Sequence, residues 1–442
     1  MNSHRRSKGY SHFDERTSLA NGKTRAKVLN PGWVASHGFW PLIHVTAKRH
    51  RFVGGDSTSP SYLKRKVREI RYCSHIDRCI FQRYAFLADR QYNKKVDGTL
   101  IDDCAIAYRT NKGRDNVFYA KKVFDFIKSC RNCLVLVTDF KDFFDGIEHR
   151  RLKCALRELM GIPTLPNDWY AVFKSVTCYS DWAWDDLVRI NGLTHDHAVR
   201  RKMNEKETVI TAEQFKNNAS HCVRRNKSGR GIPQGSPMSA VFSNIYMMDL
   251  DQEISRIVFG YDGLYLRYCD DVVVVIPADG FGEESLALNR LNGVFDKLSS
   301  YSGVAVQEEK TDRYQFEGER GRGEVRKISA TGEILDSLSR IDYLGFTFDG
   351  SSIRLRGKTI SKYHYRMRRK ARSAARQGKG RRNLYGIYSE KSWKIMRKRC
   401  FVDYARRAQR VLGLDDPECD SVTSHNMEKI AKALNQFRKS EQ

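Results

Sequence analysis

The sequence predicts an α+β protein, and three features carry that expectation. Short β-rich apolar runs, Leu134–Val137, Leu264–Tyr268 and Val272–Ile276, read as strands. Stretches with apolar residues at helical spacing lie around them. From Ser361 to Arg410 the chain changes to a strongly basic, mostly helical background. With 442 residues and 40% hydrophobic content, it is long enough for two or three domains or one multi-lobed enzyme.

In chain order, residues 1–60 are polar, basic and punctuated by Gly and Ser, with an aromatic island from Gly38 to Val45. They read as an N-terminal extension that packs on something larger. From Tyr62 to Lys128 charged and apolar residues alternate in helix-like fashion, broken by the polar loop Arg109–Arg114. Leu134–Val137 is continuously apolar, as a strand buried on both faces would be. Leu152, Ala155, Leu156, Leu159 and Met160 form one helical stripe, which Gly161-Ile-Pro163 stops. Residues 180–228 are polar and aperiodic, an insertion of loops and short helices. Ser236 is a candidate N-cap, with Pro237 at the first helical position, for a helix reaching about Val258. Two apolar runs flank Cys269-Asp-Asp271, giving a β-hairpin with an acidic turn. A helix-like stretch from Leu286 to Ser299 leads to Val304-Ala-Val306, and Tyr343–Phe348 reads as a further strand.

Charge narrows the function classes. Lys and Arg number 79 against 52 Asp and Glu, a net +27 and a pI near 9.7. Such an excess suits a polyanion, because each cation near a phosphate releases condensed counterions. Between Ser361 and Arg410 there are 18 Lys/Arg and 2 Asp/Glu, whereas a merely solvated helix mixes signs. Tyr363, Tyr365, Tyr385, Tyr388 and Trp393 are interleaved there, as stacking platforms for unpaired bases or as helix-packing rings. The 11 cysteines are scattered, and Cys130-Arg-Asn-Cys133 lacks a second pair at zinc spacing, against a disulfide framework or a zinc ribbon. No apolar run approaches the about 18 residues that span a membrane. Met1-Asn-Ser-His-Arg-Arg6 leads into no apolar segment, so a cytoplasmic protein without a signal peptide is expected.

Three acids carry the chemistry. Asp139 follows a buried strand, and Asp270-Asp271 sits between two apolar arms. Acids so placed repel one another, and a divalent cation relieves the repulsion. Hard oxygen donors suit Mg²⁺, and two such ions can serve an in-line phosphoryl displacement. An Asp-Asp pair alone would more simply be a hairpin turn.

Context decides between these readings. Asp139-Phe-Lys-Asp-Phe-Phe-Asp145, Arg230-Gly-Ile-Pro-Gln-Gly-Ser-Pro-Met-Ser239 and Tyr268-Cys-Asp-Asp271 occur in this order on a strand, a helix start and a hairpin. Together they resemble motifs A, B and C of reverse transcriptases. Lys310 in Gln307–Thr311 looks like the motif D lysine, and Tyr343-Leu-Gly-Phe-Thr-Phe348 resembles the motif E primer grip. The resemblance covers about Tyr62 to Phe348. It implies a right-hand polymerase: extension at 1–60, fingers at 61–130, an antiparallel palm with helices at 131–348, and a basic helical thumb at 349–442. It further implies that Asp139 and Asp270 bind two Mg²⁺ ions, with Mn²⁺ as the alternative, and that Asp271 supports them. Lys310 becomes a candidate acid for the leaving pyrophosphate. Phe144, five positions after Asp139, becomes the steric gate that selects dNTPs over NTPs. Gln234 and Gly235 would lie under the nascent base pair, and Arg109, Lys112 or Arg114 would grip the triphosphate.

Cys269 departs from the Ala or Met more usual at its position, a change small enough to keep the turn. No Val-Thr-Gly follows motif C, and the 94 residues after Phe348 are expected to hold a thumb without a further nuclease domain. The Tyr-Cys-Asp-Asp box, short basic thumb and long polar insert look most like the bacterial defence-associated reverse transcriptases of the unknown group, type 2. That likeness implies a cognate structured non-coding RNA as template, a DNA product and an antiphage role, and leaves the oligomeric state open. An RNA-dependent RNA polymerase would place Gly before the Asp pair and a second acid at position 144. A non-catalytic RNA-binding scaffold would not need the three acids, and an untemplated or protein-primed DNA polymerase would keep them.

Overall fold

Val135 and Leu136 are neighbours on one strand, point to opposite sides of it, and are both fully buried. That requires a sheet covered on both faces. The computed structural model describes residues 9–53, 62–196, 198–279, 283–319, 321–396, 398–414 and 417–439. The first six residues, read above for a signal peptide, lie outside these, as do residues 54–60 of the extension and Arg397 of the basic arm.

The strands in chain order are β1 (Leu42–Val53), β2 (Tyr62–Tyr72), β3 (Asn132–Lys141), β4 (Ser180–Ala183), β5 (Val223–Arg225), β6 (Leu264–Tyr268) and β7 (Asp271–Pro277). They continue with β8 (Ala305–Val306), β9 (Asp312–Glu319), β10 (Arg322–Ile328), β11 (Ile334–Asp336), β12 (Ile341–Tyr343), β13 (Phe346–Phe348) and β14 (Ile353–Leu355). The central sheet runs β11-β10-β9-β3-β7-β6, with β8 pairing the end of β3, and all its pairings are antiparallel.

Leu134, Leu136, Val272, Val274 and Ile276 enter one core with Phe242, Ile254 and Leu291 of the covering helices. Val135, Leu266, Val273 and Val275 enter a second with Phe124, Ile127, Phe346, Phe348 and Val402. The palm expected from the continuous apolar runs is therefore present, a mixed helix-and-sheet fold with both faces of its antiparallel sheet buried.

Several local expectations change. Tyr62–Tyr72 is a strand, not part of a helix, because eleven residues pair in register with β1 from Ile43↔Tyr72 to Val53↔Tyr62. The strands on either side of the division drawn at residue 60 are thus paired with each other. β4 lies parallel to β1 and β5 antiparallel to β4, so the insertion at 180–228 extends that same sheet. Its three helices and the N-terminal segment share a core of Phe13, Ile43, Trp182, Val188 and Met203. The extension does pack on something larger, and the insertion supplies it.

Tyr343–Phe348 is a hairpin, not one strand. Tyr343 pairs with Phe346 around Leu344 (φ +48°) and Gly345 (φ +95°), a two-residue turn with both central residues left-handed. The helix begun at Pro237 is divided at Met247 into Pro237–Tyr246 and Met248–Phe259. The basic region forms the helices Gly357–Arg376, Arg382–Tyr388, Ser392–Met396 and Phe401–Leu412. Among the described residues no helix is long and apolar enough to cross a membrane.

Candidate active site

Register brings the acids together. Asp139 on β3 stands opposite Asp271 on β7, continuing the pairs Val137↔Val273 and Val135↔Val275. Directly opposed residues share a face of the sheet, with Cβ atoms about 4.5–5.5 Å apart. Asp270 occupies the two-residue turn between β6 and β7, and its carbonyl accepts from the Phe140 amide at 3.1 Å. The Gln307 amide donates to the Asp139 carbonyl at 2.9 Å, which secures the same strand end from the other side.

Burial and the neighbouring Asp270 and Asp139 carboxylates push Asp271 up to about 6, against the pull of Arg356 and Lys310. Lys310 Nζ lies 2.6 Å from Asp139 Oδ2, while Asp139 Oδ1 is buried without a hydrogen-bond partner. The edge therefore carries more negative charge and more oxygen lone pairs than the protein satisfies, and hard oxygen donors of this kind fit a divalent ion. Among the described residues no three His, Cys, Asp or Glu side chains converge into a cage that would hold an ion alone. Substrate phosphates and water would have to complete the shell.

The acidic turn is strained and supported from below. Cys269 adopts φ +64°, a left-handed conformation that costs a side-chain-bearing residue about 1–2 kcal/mol. Arg267, fully buried, donates from Nη1 to the Cys269 carbonyl at 3.0 Å. Its other nitrogens bond Asp251, also fully buried, at 2.5 and 2.7 Å, and Asn244 at 3.3 Å. Asn244 in turn donates to the Ala107 carbonyl at 2.8 Å. Tyr108, the next residue, is half exposed at φ +60° and stands against Cys269 and Asp270. Burial pushes the Cys269 thiol up to about 12, so it is a neutral spacer and not a reactive thiolate.

Motifs A and B meet behind the acids. Phe143 is buried and Phe144 partly so, on the short helix Phe143–Gly146. The Ile232 amide donates to the Phe144 carbonyl at 2.9 Å and the Gly231 amide to that of Ile147 at 2.8 Å. Gln234 accepts from the Arg71 amide at 3.0 Å. Gly235 has φ +120°, and a Cβ there would lie 2.6 Å from the Arg71 carbonyl oxygen. Gly235→Ala is therefore expected to destabilise the protein by about 1–3 kcal/mol in denaturant unfolding. An unchanged midpoint would mean that the two backbones separate without cost.

The basic residues are placed differently from the expectation. Arg109 has a side chain with no exposure, bonded to Asn93 at 2.8 Å, to the Asp102 carbonyl at 2.9 Å and to Asp102 Oδ1 at 2.5 Å. Lys112 is paired with the same carboxylate at 2.8 Å. Arg114 lies over the Phe118 ring at 3.9 Å. Arg109 is thus an internal strut, and Asp102 engages Lys112, so a triphosphate would have to break these bonds to use them. Arg71 on β2 is the cation that reasoning from sequence missed. It bonds Asp181 at 2.6 Å, faces Tyr179 at 5.2 Å and acts on Asp145 beside Phe144. Its signal was hidden because Tyr62–Tyr72 read as a charged helix.

A cavity of about 320 Å³ opens beside Asp271, lined by Asn116, Tyr268, Asp342, Leu344, Gly345 and Arg356. The motif E turn forms one wall, held by Asn116, whose Nδ2 donates to the Leu344 carbonyl at 2.9 Å. Cys130 and Cys133 are free thiols in the second core, with no metal cluster among the described residues.

The antiparallel palm sheet thus carries the three acids at one end of its inner strands β3 and β7. Residues 65–348 match the family described as reverse transcriptase (RNA-dependent DNA polymerase), and the chain belongs to that family. Its members use divalent metal ions. Apo telomerase from Candida tropicalis, truncated from its C-terminal domain, is similar with a TM-score of 0.42 and 12% identity, over 77% of this chain and 61% of that one. Telomerase from Candida albicans in complex with a TWJ fragment of telomeric RNA gives 0.39 and 11%, over 99% and 71%. Apo telomerase from Candida tropicalis gives 0.38 and 11%, over 100% and 66%. The chain spans 61% of the length of the first of these, and likeness at this level carries no statement about activity. No curated protein matches the chain.

Proposed function

We propose that the protein is an RNA-directed DNA polymerase, extending a 3′-hydroxyl with dNTPs on an RNA template. The observation that carries this reading is the opposition of Asp139 and Asp271 in register, with Asp270 at the adjoining turn, in a chain of this family. Asp139 and Asp270 hold the ions, Mg²⁺ by their hard oxygens, and Asp271 supports them. Bound there, the ions supply charge to activate the attacking hydroxyl and stabilise the leaving pyrophosphate. Lys310 is the candidate acid for that leaving group, and its contact with Asp139 supports this role. Gln234 and Gly235 lie under the nascent pair, where the missing side chain lets the backbones approach.

Phe144 acts as the sugar gate. Phe144→Ala is expected to raise NTP use relative to dNTP use by about tenfold or more, the scale of a lost steric contact. Unchanged discrimination in single-nucleotide incorporation removes Phe144 from that role.

The wider reading is a bacterial defence enzyme of the unknown group, type 2, working in the cytoplasm on a cognate structured non-coding RNA. The Tyr268–Asp271 box, the basic thumb and the polar insert support it. The test is labelled dNTP incorporation by protein expressed with its native flanking DNA, followed by sequencing of the product. DNA complementary to one co-purifying RNA identifies the template. DNA matching no RNA moves the enzyme to the untemplated class, and silence on defined primed templates favours the RNA-binding scaffold.

A further inference from the structure

One cavity of the basic arm is built around Trp393. Trp393 on the helix Ser392–Met396 is 54% exposed. Facing it, the helix Phe401–Leu412 buries Val402, Ala405, Ala408 and Leu412 on one side. Its other side presents Asp403, Arg406, Arg407 and Arg410 at positions i, i+3, i+4 and i+7, one continuous face. With Trp393 and Arg399 these residues enclose about 620 Å³, open to solvent.

The charges there are not internally matched. Asp403, the only acid of the cavity lining, accepts from the Cys400 amide at 2.8 Å as a helix cap. Arg407 pairs with Asp115, and Arg406 donates to the Thr423 carbonyl at 2.8 Å. Among the described residues Arg399 and Arg410 have no carboxylate within ion-pair distance. The aromatics of the arm divide in the same way. Tyr363 is buried and bonded to the Tyr388 carbonyl, a packing ring, whereas Trp393 pairs with no other ring among the described residues.

We propose that this cavity is a binding site for an unpaired nucleotide of the RNA, its base stacked on Trp393 and the flanking phosphates on Arg399, Arg406 and Arg410. This rests on the reading that the protein binds RNA. Several guanidiniums around one exposed indole match a single strand, which offers base faces and phosphates together. An A-form duplex offers phosphates but keeps its base faces stacked, and would leave the indole idle. The site adjoins the catalytic cavity. Tyr404, on the same helix, bonds Asn116 at 2.9 Å, and Asn116 lines the cavity beside Asp271. RNA held at Trp393 is therefore anchored next to the motif E turn, which keeps one unpaired segment in place while the duplex moves through the palm.

The test is fluorescence anisotropy of full-length protein with a short single-stranded RNA, a blunt-ended RNA duplex and single-stranded DNA of the same sequence. Trp393→Ala is expected to weaken single-stranded RNA about tenfold, with duplex affinity unchanged, and Trp393→Tyr to restore most of the loss. Arg406→Gln with Arg410→Gln should flatten the dependence of affinity on salt, which Trp393→Ala should leave alone. Equal affinity of wild type and Trp393→Ala for single-stranded RNA overturns the proposal, as does an equal loss on the duplex. A tenfold preference for DNA that depends on Trp393 overturns the assignment to RNA. Thermal midpoints of both Trp393 variants check that the fold is kept. Primed synthesis at saturating template is read in parallel. If wild type makes no DNA, the polymerase reading fails while the anisotropy still decides this site.

Discussion

Asp139→Ala, or Asp270→Ala with Asp271→Ala, is expected to lower labelled dNTP incorporation on the order of 10³-fold or more, with RNA affinity held within a few-fold. The reason is the register of β3 and β7. Asp139 and Asp271 lie directly opposite each other, and Asp271 is pushed up to about 6 by burial and by its neighbours. Those carboxylates oppose folding, because packed together at a strand edge they repel. Removing them should leave the thermal midpoint unchanged or raised while taking carboxylate ligands away from a cation. Activity within tenfold of wild type would dismiss the three acids as the catalytic centre. Loss of the folded state together with activity would make them structural.

The second large effect concerns Arg267. Its guanidinium is fully buried, neutralises the equally buried Asp251, and donates to the Cys269 carbonyl in the left-handed turn. Arg267→Ala strands a buried carboxylate, which costs about 3–5 kcal/mol. It also removes the donor that holds the turn carrying Asp270. Replacing both partners, Arg267→Met with Asp251→Leu, should recover most of the stability, since a buried ion pair is often matched by apolar residues of similar volume. Synthesis should stay low in that double variant, because nothing then bonds the Cys269 carbonyl. Denaturant unfolding and incorporation rates measured on both variants separate the two effects. Full activity in the stable double variant would reduce Arg267 to packing.

Much of the palm was legible because its signals are local. Leu134–Val137 and Val272–Ile276 are continuous apolar runs, and a sheet covered by helices on one face and by the thumb side on the other buries all of these residues but Val137, which is partly buried. Ser236-Pro237 starts a helix as its capping chemistry requires, with the Ser236 hydroxyl accepting from the Met238 amide. The misreadings share one cause. Tyr62–Tyr72 carries charges on both faces, so its period is ambiguous, and only eleven pairings with β1 make it a strand. Tyr343–Phe348 has β-forming residues throughout, and the turn at Leu344-Gly345 became visible only through the pairing of Tyr343 with Phe346. Arg109 in a polar loop looked available to a ligand, but Asp102 and Asn93 had already taken its nitrogens.

By itself, then, the sequence determined the class of fold, the polyanion-binding charge, the order of the acidic motifs and membership of the reverse transcriptase family. These depend on residue types and spacings within a few positions, which a chain displays before it folds. Only the tertiary structure decided that Asp139 faces Asp271, that Gly235 rests on Arg71, that Arg267 supports the Cys269 turn, and that Trp393 faces an arginine-lined helix. The first two are contacts between segments far apart in sequence, and each of the four depends on one arrangement of packed elements. Strand register, closed hydrogen bonds and the burial of one face against another select it, and no local propensity encodes them.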